Sequence, residues 1–144
     1  MSVYARFKKN PDGLRALVEL LESTPASRRQ RMIEVGMEED PAYTERALSF
    51  MMTFEDILTL PDLELAEVLA QAPPKMSAYA VALAPEETKI RFLKNAIPKV
   101  MAQIKDSLID KVGPREVGGA QMKLIETARK LEKQGFVRAK KIPA

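Results

Sequence analysis

The stretch Phe50-Met51-Met52-Thr53-Phe54-Glu55-Asp56-Ile57 divides the chain into one group of short helical patterns before it and another after it. Phe50, Met51, Met52 and Phe54 crowd large apolar side chains together, too densely for a solvated linker and over too short a run for a strand that must find a partner. Thr53 is placed to cap a helix beginning at Phe54. Asp56 stands where a capping-box carboxylate reaches back to the cap. An apolar connector with a capped exit is expected between two bodies, so 51–57 is read as a hinge carried by Met51, Met52 and Phe54. Methionine has soft rotamers that tolerate repacking, which suits such a place. An ordinary tight turn between core helices would use the same residues.

Working upstream, prolines mark most helix starts, where the missing N–H costs nothing. Asn10-Pro11 opens a helix with Leu14, Leu17, Val18 and Leu21 on one stripe. Ser23-Thr24-Pro25 ends it and begins a second, in which Met32 and Ile33 are apolar while Arg28, Arg29 and Arg31 face water. Asp40-Pro41 opens a third carrying Tyr43, Ala47, Leu48 and Met51. Helices this short bury their apolar faces only against one another or a neighbour. The expectation for 1–50 is a three-helix, armadillo-like unit.

Downstream, helices are expected from Phe54, Pro61-Asp62, Pro73-Pro74, Pro85, Pro98 and Pro114, giving a six-helix body over 58–137 and an all-α fold. The helix from Pro98 has the cleanest stripe, Val100, Met101, Ile104 and Leu108, extended backward by Ile97. The last helix ends at Gly135 with Lys130 and Lys133 in its final turn. Gly118-Gly119 costs roughly 1 kcal/mol per residue against Ala, so a late start near Ala120 competes with a continuous helix from Pro114. The remaining stretch, 138–144, is basic and expected to be solvated.

The 144 residues, 46% of them apolar and 30% charged, suit a soluble globular protein that needs no staples. With neither Cys nor His, disulfides, thiolate sites and the commonest acid/base and transition-metal ligands are excluded. Glu38-Glu39-Asp40, Glu55-Asp56 and Glu86-Glu87 sit at helix starts, where carboxylates offset the dipole. Gly118-Gly119 lacks the Lys-Ser/Thr pair of a phosphate loop. No catalytic residue, cofactor, metal ligand or small-molecule substrate is expected. The net charge of +3 gathers after Arg129, yet no aromatic platform accompanies it, so nucleic acid is not the expected partner. The absence of a long apolar run or a signal-peptide core points to a cytoplasmic chain, peripheral to a membrane at most.

One surface pattern stands out. With Val100, Met101, Ile104 and Leu108 turned inward, Lys99, Gln103, Asp106 and Asp110 share the outer stripe of their helix as a mixed-sign ridge. Alone it reads as an ordinary solvated face.

Met51, Phe54, Glu55, Asp56 and Ile57, followed by Asn95, Asp106, Gly113-Pro114, Val117, Ala120-Gln121, Arg129, Leu131 and Gly135, resemble in order and spacing the C-terminal part of the FliG family of flagellar rotor switch proteins. In that family the corresponding helix carries a charged ridge that meets the stator's cytoplasmic loop. The resemblance implies stator-facing roles for Lys99, Asp106 and Arg115. Lys99 stands where the family has Arg, keeping the charge and losing the bidentate fork. Ser107 replaces the second of two adjacent acids, Ala82 occupies the family's Lys position, and the segment before Ala120-Gln121 is shorter than usual around Arg115. The resemblance also implies an open apolar groove on the armadillo-like unit, filled by a neighbouring subunit, with Leu14, Val18, Leu21, Met32 and Ile33 as its lining. The family's N-terminal and middle domains do not fit before Phe50, so the chain is expected to be a fragment or a stand-alone relative.

The resulting expectation is a non-enzymatic rotor or switch component at the cytoplasmic face of the flagellar basal body, whose partners are the stator loop, switch-complex subunits or itself. The alternative is a general α-helical adaptor whose basic 138–144 segment binds nucleic acid or an acidic protein.

Overall fold

A computed structural model describes residues 3–143, for Val3 the backbone alone. Its described residues form ten helices: α1 (Val3–Lys9), α2 (Gly13–Ser23), α3 (Ala26–Glu39), α4 (Pro41–Ser49), α5 (Phe54–Leu58), α6 (Asp62–Gln71), α7 (Pro74–Ala80), α8 (Glu86–Asn95), α9 (Pro98–Ser107) and α10 (Pro114–Gln134). The fold is all-α. The contacts divide the chain into two compact units, Met1–Met52 with Lys140–Ala144, and Thr53–Ala139.

In the first unit, α1 packs on α2, α2 on α4 and α3 on α4. Tyr4, Leu17, Val18, Leu21, Ala47 and Ile142 form its sealed core, and Leu14, Met32, Ile33, Tyr43 and Leu48 pack against it partly buried. Helix α1 had no forecast in the sequence, because seven residues rich in lysine and arginine carry no helical stripe. Tertiary contact makes it. The Tyr4 ring is buried, and its hydroxyl donates to the Met32 carbonyl of α3. Gly36 permits this approach, since a Cβ there would lie 2.6 Å from the Tyr4 ring and 2.5 Å from Thr44 Oγ1. Asp40 caps α4, accepting from the Tyr43 N–H at 3.2 Å, and its other oxygen meets Lys8 Nζ at 2.8 Å. That ammonium, with the Tyr43 N–H, holds the Asp40 carboxyl below its ordinary range.

The expectation of a solvated segment over 138–144 needs correction. Ile142 is only 2% exposed and belongs to the first unit's core, with the Arg15 guanidinium 3.4 Å from its carbonyl. A lone isoleucine among lysines is invisible to periodicity.

In the second unit, α10 packs on α5, α6 and α7, and α9 packs on α7 and α8. The α5 cap follows the sequence reading: Thr53 Oγ1 accepts from the Asp56 N–H at 3.3 Å, and the Asp56 carboxylate accepts from the Thr53 N–H at 2.7 Å. Arg91 of α8 donates to the Leu58 carbonyl at the end of α5 at 2.6 Å, to the Leu60 carbonyl in the turn that follows and to the Asp62 carboxylate of α6 at 3.0 Å, tying the exit of α5 to the start of α6.

Helix α10 runs unbroken from Pro114, so the late start near Ala120 does not hold. Pro114 and the Glu116 carboxylate, which accepts from the Gly113 N–H at 2.7 Å, fix the first turn. Packing of Val117, Ala120, Leu124 and Ala128 then outweighs the glycine cost. Gly135 ends the helix at φ 88°, a left-handed conformation that favours glycine. Ile97, expected to extend the α9 stripe inward, is 61% exposed; it precedes the helix and does not share its phase.

Candidate functional site: an exposed charged ridge on α9 and the start of α10

Ile104 is fully buried, Val100, Met101 and Leu108 are half-buried, and Lys99, Gln103 and Asp106 are exposed. The stripe therefore does what its spacing demands: apolar positions turn toward α7 and α8, and the charged ones are left in water. Lys99 and Asp106 are seven positions apart, two helical turns or about 10 Å along the axis. Arg115 lies exposed in the first turn of α10. Among the described residues, no ion pair or side-chain hydrogen bond engages Lys99, Asp106 or Arg115.

Asp110 departs from the expected ridge. α9 ends at Ser107, and the turn beyond it brings the Asp110 carboxylate to 2.6 Å from the Tyr79 hydroxyl at the end of α7. That bond, followed by desolvation, raises the Tyr79 phenol above its ordinary value. Lys75 Nζ lies 5.5 Å from the Tyr79 ring centroid. Asp110 thus locks α9's exit to α7, the helix on which α9 rests. Gln121 adds to the same corner by donating to the Ala80 carbonyl at 3.1 Å, which gives the Ala120-Gln121 pair a structural task. Further along α10, Arg129 and Glu132 pair at 2.8 Å, and both side chains are buried.

The hinge candidates fall on both sides of a boundary. Met51 packs partly buried against the first unit's core, and the Met52 N–H donates to the Glu22 carboxylate at 2.7 Å. Phe54 lies in the second unit, its ring 6.5 Å from that of Phe92 and tilted by 59°.

The groove candidates are corrected more sharply. Val18 and Leu21 are fully buried within the first unit and line no open surface there; Leu14, Met32 and Ile33 are partly buried at its edge. Helix α1 and Ile142, neither of which the helical spacing revealed, supply the cover.

The fold and the ridge define an all-helical, two-unit protein whose distinctive surface is charged side chains on a packed scaffold. The FliG C-terminal domain family model matches residues 37–138, and the chain belongs to that family. It is 29% identical over 128 residues to the flagellar motor switch protein FliG of Thermotoga maritima and 30% identical over 129 residues to that of Aquifex aeolicus. These matches cover 87% and 88% of this chain, which spans only 38% and 39% of the two relatives' length. Among solved structures it is similar to a crystal structure of FliG from H. pylori, with a TM-score of 0.64, 24% identity, and 87% of this chain and 60% of that one covered. It is also similar to full-length FliG from Aquifex aeolicus, with a TM-score of 0.54, 27% identity, and coverage of 88% and 40%. Both likenesses support the helical fold.

Proposed function

We propose that the chain is a non-enzymatic rotor or switch component of the flagellar motor, and that Lys99, Asp106 and Arg115 are the surface it presents to the stator's cytoplasmic loop. Membership of the FliG C-terminal family supports the role. The observation that carries the surface assignment is the exposure of all three charges without any internal partner among the described residues. Exposed charges add little stability and cost little to keep free, so a solvated ridge is available for steering and for contact across an interface. The proposed setting is the cytoplasmic face of the basal body, with further contacts to switch subunits or a second copy. Met51, Met52 and Phe54 serve in this proposal as the hinge between an armadillo-like unit and the six-helix body.

Because Ala82 and Ser107 carry no charge, the contact is expected to be weaker than a fully charged ridge would give. Reversing Lys99→Glu or Asp106→Lys should leave the melting temperature nearly unchanged while reducing motility in the host. A compensating reversal on the stator loop should restore it. Unimpaired swimming with both reversals would defeat the ridge assignment, and binding that falls log-linearly with salt on nucleic acid would favour the adaptor alternative.

A further inference from the structure

Among the described residues, Ile142 is the one core residue of the first unit that the chain delivers after completing the second. Its approach is short. The Val137 side chain is 2% exposed and the Arg138 N–H donates to Glu64 at 2.9 Å, so the second unit holds the chain up to that point. A turn at Ala139–Lys140 follows, and four residues after Arg138 the Ile142 side chain is sealed among Tyr4, Leu17, Val18, Leu21 and Ala47. The turn is strained, because Lys140 adopts φ 51°, a left-handed conformation that costs a residue with a Cβ. Two polar contacts on this stretch are long, Arg15 to the Ile142 carbonyl at 3.4 Å and Lys140 Nζ to the Ser49 carbonyl at 3.5 Å.

We propose that Ile142 is an exchangeable latch: the socket it fills on the first unit accepts the same segment from a second copy of this chain. Burial of one isoleucine favours the closed over the open socket by on the order of 10- to 100-fold, before any strain is subtracted. The socket is therefore open for a minor fraction of the time. What fits it best is what already fits it, an aliphatic side chain on a short extended stretch, and release frees Lys140 from its left-handed turn. Short strained connections favour exchange between copies for this reason.

The chain has no cysteine, which makes a direct test available. The full chain carrying Ala47→Cys is mixed at high concentration with the full chain carrying Ile142→Cys, under mild oxidation. Both substitutions are small enough for folding to be checked by helical content and melting. The expected product is a reducible dimer containing one copy of each, several-fold above that from Ile142→Cys mixed with the exposed control Leu63→Cys. A synthetic peptide of residues 138–143 should suppress it, and the same peptide with Ile142→Asp should not. Equal yields in the test and control mixtures, or no effect of the peptide, would overturn the proposal.

Discussion

The Tyr79 hydroxyl donates to the Asp110 carboxylate at 2.6 Å, tying the end of α7 to the turn that follows α9. The neutral phenol makes that bond, so the folded-state value of Tyr79 lies above its unfolded 10.0. The contribution is fully present below pH 10.0 and is lost as pH rises through the raised value. Chemical denaturation across the alkaline range should show a loss of stability that Tyr79→Phe removes. Identical pH profiles for the two proteins would mean that the bond contributes nothing.

Two glycines should respond in opposite ways to the same substitution. Gly36→Ala drives a methyl into Tyr4 and Thr44 and should cost about 1–3 kcal/mol, read as a lower denaturation midpoint. A Cβ at Gly119 meets nothing within 4 Å on the exposed side of α10, so Gly119→Ala should add about 1 kcal/mol.

The cap at the start of the second unit is a third point of measurement. Thr53→Ala removes the oxygen that accepts the Asp56 N–H, and a loss of about 1 kcal/mol is expected. Thr53→Ser keeps that oxygen and should recover most of the loss.

Local signals decided how much of the fold was legible in the sequence. The Thr53–Asp56 box, the proline-led starts and the α9 stripe are short-range rules, and α5 to α10 follow them closely. Side chains whose place depends on distant chain were not legible. Tyr4 forms α1 by reaching α3, Asp110 leaves the ridge for Tyr79, and Ile142 closes a core begun by Leu17 and Val18. The groove expectation failed for Val18 and Leu21 for the same reason. Counting apolar positions on three helices omits the cover that α1 and Ile142 provide. The exposure of Lys99, Gln103 and Asp106 was legible because exposure on a helix follows from its stripe, whereas a partner for such a face is not written in the stripe.

Because the second unit is inserted between two parts of the first, order of synthesis and order of completion differ. All of Thr53–Ala139 leaves the ribosome as one uninterrupted run and has its own core once α10 is made. The earlier-made helices α1 to α4 must wait with an unfilled apolar site until Ile142 emerges. Domains usually finish in the order they are translated. In this chain the unit that starts first is the one that finishes last, and a nascent chain stalled before Ile142 would expose that site to whatever aliphatic segment is nearby.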